Sequence, residues 1–112
     1  MESAEVMRIL GRKYNPEILC SAHEPKTVKE FSERLDIPIA TCYRRIDELE
    51  DIGLIELHDQ QFTDSNRVTN VYRRNVDAIE ITFANGSMNI EFEEEAAVQH
   101  KLDNIWRDLS EI

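Results

Sequence analysis

Ala40, Thr41, Tyr43 and Arg44 bring together a side chain small enough for close approach, a hydroxyl, a phenol and a guanidinium. Such a set recognises rather than breaks bonds. The arginine fork matches guanine O6 and N7 or a phosphate, and a tyrosine can contact a phosphate or lie on a thymine methyl. Around them Cys42, Ile46 and Leu49 recur at i, i+4 and i+7, one helical stripe. At about 100° per residue, Ala40, Tyr43, Arg44 and Asp47 point away from that stripe. A helix buried on one side that presents these groups from its opening turns suits a DNA major groove. The same spacing also describes an ordinary amphipathic surface helix, so the neighbouring elements must decide. Arg45 lies nearer the core-side flank, where a phosphate or a salt bridge to Glu48 is expected. For Arg73 and Arg74 the expectation is a surface pair balancing nearby acids.

Other chemistry is sparse. His23, His58 and His100 are far apart and form no ligand spacing, so no metal is expected. No glycine-rich phosphate loop, nucleophile elbow or clustered Cys/His pair is present, and neither an enzyme nor a cofactor is expected. Cys20 and Cys42 both occupy apolar positions of expected helices, which predicts buried, reduced thiols. A redox variant would need Cys42 exposed beside Arg44 and Arg45.

The chain has 112 residues, enough for one domain with a modest core. Its 41% hydrophobic content and three each of Gly and Pro predict a folded chain. No run approaches the roughly 18 apolar residues of a membrane span. The start, Met1-Glu2-Ser3-Ala4-Glu5, lacks a signal-peptide pattern, and a cytoplasmic location is expected. The net charge of -10 is awkward for a nucleic-acid binder. One explanation is adaptation to high intracellular salt, since at about 1 M the Debye length is roughly 3 Å and DNA is barely repelled. The others are a merely acidic protein, or one that binds protein instead.

The elements follow from caps and periodicity. Val6, Ile9, Leu10 and Lys13 predict a first helix over residues 3–13. Asn15-Pro16-Glu17 restarts the chain, with Asn15 as N-cap and Pro16 as first helical residue. That second helix buries Ile18 or Leu19, and Cys20, before Glu24-Pro25 ends it. Thr27-Val28-Lys29-Glu30 is a capping box opening a third helix, with Val28, Phe31 and Leu35 inward and Lys29, Glu33 and Arg34 outward. Asp36-Ile37-Pro38 turns into the fourth, which Gly53 stops. Leu54–His58 and Arg67–Arg74 alternate as strands, with a polar loop over residues 59–66 interrupted by Phe62.

Residues 16–74 resemble the winged helix-turn-helix domain of ArsR-type transcriptional regulators in their archaeal form. The resemblance rests on Thr27-Val28-Lys29-Glu30-Phe31-Ser32-Glu33-Arg34-Leu35, on Ile39-Ala40-Thr41-Cys42-Tyr43-Arg44-Arg45-Ile46-Asp47-Glu48-Leu49, and on Gly53-Leu54-Ile55. It implies a fourth helix that reads the major groove and a hairpin that acts as a wing on the backbone or minor groove. One departure is Pro38, where the family often has a Ser or Thr cap, which removes a cap-side phosphate contact. The Cys-x-Cys pair of the family's metal sensors is missing from residues 27–35. The expected DNA-facing residues are Thr27, Ile39, Ala40, Thr41, Tyr43, Arg44 and Arg45 in the helices, and Gln60, Gln61, Thr63, Asn66 and Arg67 in the wing.

The last third adds a hairpin and a terminal stripe. Asn85-Gly86 is the strongest short hairpin signal available. As a two-residue loop it pairs Phe83 with Met88, Ile81 with Ile90 and Ile79 with Phe92 on one face, and Glu80 with Glu91 on the other. Beyond Glu93-Glu94-Glu95, Val98, Leu102, Ile105, Leu109 and Ile112 recur at near-heptad spacing with Trp106 beside them. The resemblance makes them a dimerisation helix, against the alternative of a helix packed on its own domain. The expected fold is therefore α+β: a winged helix-turn-helix (residues 1–75) extended by a β-hairpin and a dimerisation helix (76–112). The expected function is sequence-specific regulation of transcription by a homodimer on double-stranded DNA, with any small-molecule effector unidentified. The alternative is a winged helix used only for protein–protein contact.

Overall fold

The computed structural model describes residues 2–94. These fall into two compact units that divide between Asn75 and Val76. The expected stripe of Val98, Leu102, Ile105, Trp106, Leu109 and Ile112 lies outside the described residues, as does His100.

The first unit runs α1 (Ser3–Leu10), α2 (Asn15–Ser21), β1 (Lys26–Thr27), α3 (Val28–Leu35), α4 (Ile39–Asp51), β2 (Ile55–Phe62) and β3 (Val68–Arg74). Of the residues the periodicity selects, Val6, Ile9, Ile18, Val28, Phe31, Cys42, Ile46 and Leu49 are buried, Leu35 is only half-buried, and Ala22, Ile37, Leu54, Ile55, Val71 and Tyr72 complete the core. α1 ends at Leu10, short of the expected residue 13, because the chain turns at Gly11.

Two expectations fail at α2. Asn15 is not a cap but the first residue of the helix, and Tyr14 takes the N-cap in a left-handed conformation (φ 80°). Asn15 is fully buried, and its Nδ2 donates to the Ile9 carbonyl at 2.7 Å and to Glu48 Oε1 at 3.0 Å. Tertiary partners outbid the local cap. Cys20, expected inside, is exposed, since Asn15 and Ile18 take the inward positions of this short helix.

The capping box forms as expected. Thr27 Oγ1 accepts from the Glu30 N–H and Glu30 Oε1 accepts from the Thr27 N–H, each at 3.1 Å. Asp36 turns the chain at φ 54°, and Pro38 caps α4 without a side-chain hydrogen bond. At the other end Gly53 adopts φ 83°. Its N–H donates to the Glu50 carbonyl and the Leu54 N–H to that of Leu49, each at 3.0 Å. This double closure needs the left-handed residue that glycine supplies without strain.

β1, β3 and β2 form one antiparallel sheet in that order. β1 had no counterpart in the sequence reading; it is two residues long, with Lys26 opposite Tyr72 and Thr27 opposite Val71. The β2–β3 hairpin is longer than expected. The polar stretch 59–62 is strand, with Gln60 opposite Asn70, Gln61 opposite Thr69 and Phe62 opposite Val68. A register shift between Leu57 and Asp59 leaves His58 as the extra residue of a bulge.

The second unit shows the hairpin β4 (Ala78–Ala84) and β5 (Ser87–Glu93). Its register pairs Phe83 with Met88, Ile81 with Ile90, Ile79 with Phe92 and Glu80 with Glu91, as the Asn-Gly turn requires. Asn85 and Gly86 both have positive φ (54° and 77°), the requirement of the tight turn whose twist suits a hairpin. Among the described residues no helix is long and apolar enough to cross a membrane.

Candidate nucleic-acid interface

α4 buries Cys42, Ile46 and Leu49 and turns its opening residues outward. Ile39 is 48% and Tyr43 53% exposed, and Ala40 and Arg44 are exposed beside them. Thr41 is half-buried, and its Oγ1 accepts from Arg44 Nη2 at 3.3 Å, one turn away. That contact holds the guanidinium along the helix and leaves most of its five donors free for a ligand.

The middle of α4 is fastened elsewhere. Glu48 is bonded by both Arg12 and Asn15, while Arg45 Nε donates to the Lys13 carbonyl at 3.0 Å. The expected Arg45–Glu48 bridge therefore does not form, because the turn between α1 and α2 supplies better-placed partners to both side chains. Arg73 and Arg74 are also engaged: Arg73 pairs with Glu56 at 3.1 Å, and Arg74 Nη1 donates to the Leu19 carbonyl at 3.1 Å. Arg73 thus meets a nearby acid as expected, and Arg74 also reaches into α2.

Between α4 and β3 lies a groove of about 290 Å³ lined by Thr27, Lys29, Ile39, Tyr43, Thr69 and Asn70, among others. It joins the outward turns of α4 to the hairpin. Thr27 is buried there with its hydroxyl committed to the cap. Lys29, Thr69 and Asn70 are groove residues that the sequence reading did not single out. For Lys29 the signal was present: it is an outward cation in the first turn of a capped helix. For Asn70 it was absent, because its place depends on the strand register. On that hairpin face Gln60 Nε2 donates to Asn70 Oδ1 at 3.1 Å and Asn70 Nδ2 to the Tyr72 hydroxyl at 3.3 Å.

The tip of the hairpin is ordered by its own hydrogen bonds. The Thr63 N–H donates to the Arg67 carbonyl and the Asn66 N–H to that of Thr63, each at 2.9 Å. Asn66 holds φ 60°, a conformation asparagine tolerates better than other non-glycine residues. Its type is thus explained by the turn itself. Gln60, Gln61, Thr63, Asn66 and Arg67 are all exposed.

The two thiols differ sharply. Cys42 is fully buried, its Sγ donates to the Val28 carbonyl at 3.6 Å, and burial pushes its pKa up to about 11. A raised thiol pKa favours the neutral form in the folded state. Its contribution to stability is full below about pH 9, where an unfolded thiol ionises, and is lost as pH rises through about 11. Titration with a thiol reagent at pH 8 should therefore count one reactive cysteine, Cys20, in the native protein and both in denaturant. Fast native reaction of both would contradict the burial of Cys42. Among the described residues no group of three or more His, Cys, Asp or Glu is placed to hold a metal ion.

No match was found among curated proteins. The family described as helix-turn-helix domain matches residues 3–58, which spans α1 through the opening of β2 and includes every α4 residue discussed above. With half of its length matched, the chain belongs to the helix-turn-helix domain family.

Proposed function

We propose that this protein is a transcriptional regulator of the ArsR-like winged helix-turn-helix type that binds double-stranded DNA as a homodimer. The observation carrying the reading is the exposed opening of α4, with Ile39, Ala40, Tyr43 and Arg44 outward on a helix pinned along its opposite side. In this reading α4 enters the major groove and Arg44 takes a guanine edge or a phosphate. The β2–β3 hairpin is the wing, and the phosphate strand between the two grooves passes the Lys29, Thr69 and Asn70 groove. Gln60, Gln61, Thr63, Asn66 and Arg67 face the backbone or minor groove. Residues 1–75 are the DNA-binding domain, and 76–112 serve dimerisation through Val98, Leu102, Ile105, Trp106, Leu109 and Ile112.

The charge of -10 fits a protein working in concentrated salt, as expected of a haloarchaeal cytoplasm, where screening removes the repulsion from DNA. No cofactor enters the reading. The test is selection of duplexes from a random pool by the wild-type protein, followed by titration of the selected site at low salt and at about 1 M KCl. A shifted duplex at both salts is the expected result, and Arg44→Ala should weaken binding by about 1–3 kcal/mol. If no duplex is enriched at any salt, the reading fails.

A further inference from the structure

Phe62 is 76% exposed at the end of β2, the last strand residue before the turn, and the Val68 opposite it is 51% exposed. This apolar pair is out of keeping with its surroundings, where Gln60, Gln61, Thr63, Asp64, Ser65, Asn66 and Arg67 are all polar. Cross-strand partners share a face, and so do residues two apart. Phe62 and Val68 therefore lie on the face that carries Gln60, Asn70 and Tyr72. Val68 itself lines the groove with Ile39 and Tyr43.

The pair is also held out stiffly. The Thr63–Arg67 and Asn66–Thr63 backbone hydrogen bonds close the turn immediately beyond it. From Tyr72 to Val68, four strand residues carry the pair roughly 13 Å outward at about 3.3 Å each. Half a turn of B-DNA, the step from a major to the adjacent minor groove, is about 17 Å. This reach is comparable to that step, so a hairpin that starts beside α4 is long enough to extend toward the neighbouring minor groove. Arg67, exposed and adjacent to Val68, supplies a cation for the flanking phosphates.

We propose that Phe62, backed by Val68, is an apolar wedge that enters the minor groove and partly unstacks a base step, bending the DNA. Minor-groove proteins commonly insert such a side chain between base steps and kink the duplex by about 20–90°. The occupant is DNA rather than another protein because the pair is small, ringed by hydrogen-bonding side chains, and continuous with the α4 groove. The inference rests on the DNA-binding reading above.

The test uses the full chain and a duplex that it selects from a random pool, labelled at both ends so that energy transfer reports the bend. Wild-type protein is expected to bind and bend. Phe62→Ser is expected to bind about tenfold more weakly and leave the DNA nearly straight, with an unchanged salt slope because no phosphate contact is lost. Phe62→Leu restores the bend. Arg67→Ala, in contrast, reduces the salt slope by about one. An unchanged melting temperature for Phe62→Ser, as its exposure predicts, shows that the fold is intact. Binding without a bend, or a bend that Phe62→Ser leaves unaltered, overturns the wedge and spares the regulator; failure to select any duplex overturns both.

Discussion

Replacing Phe31 with alanine is expected to cost about 3–5 kcal/mol in denaturant unfolding, the largest effect of any substitution considered. Phe31 is completely buried at the centre of α3, which packs against α2, α4 and the sheet. Lys26 Nζ lies 5.7 Å from its ring centroid while donating to the carbonyls of Ser21 and Glu24. Losing the ring also loses the face against which that buried ammonium rests. For a domain with about 5–15 kcal/mol in total, the loss consumes much of the margin. The melting temperature should fall by roughly 12–40 °C. A change below about 1 kcal/mol would mean that α3 does not pack as described.

Removal of the Asn15 side chain comes second, at about 2–3 kcal/mol for Asn15→Ala. Its amide ties together three helices: it donates to the carbonyl of Ile9 in α1, belongs to α2, and donates to Glu48 in α4. Truncation leaves the buried Ile9 carbonyl without that donor and removes one of Glu48's two partners, and hydrogen bonds to charged groups are worth about 1.5–3 kcal/mol each. Urea unfolding gives the number, and an Arg12→Ala, Asn15→Ala double-mutant cycle shows whether the two donors act together on Glu48. A single-mutant loss within 0.5 kcal/mol of zero would remove the network from the stability of the fold.

These two residues also show where the sequence was legible and where it was not. Phe31 and the α4 stripe Cys42, Ile46 and Leu49 could be placed because a helix converts spacing directly into a face. Thr27–Glu30 and Gly53 were legible for the same local reason, since caps involve neighbours within a turn. The β4–β5 register followed from a two-residue turn that leaves no freedom. Asn15 was misplaced because its type signals a cap, and only the approach of α1 and α4 makes it more useful inside. Cys20 was misplaced because a helix as short as α2 offers too few turns to define a face.

In the interface the same division holds. The outward set Ala40, Tyr43 and Arg44 came from periodicity. The groove did not, because it depends on how far β2 and β3 run, and the largely polar stretch 59–66 resembles a loop until both strands pair. Phe62 marked the exception within that polar stretch. Its significance appeared only once its position at the strand end and its exposure were known.

The two-residue β1 has a consequence for how the domain assembles. Lys26 and Thr27 pair with Tyr72 and Val71, residues distant in sequence, and the Thr27 of that pairing is the same residue that caps α3. The helices can begin to form from local contacts, but this stitch waits for the far strand to arrive, a closure that slows folding. A fragment cut at residue 58, where the family match ends, would carry α1 to α4 yet present β1 as an open edge. The hairpin is thus the latch that completes the helical half, and disorder at its base would be felt as fraying at the start of α3.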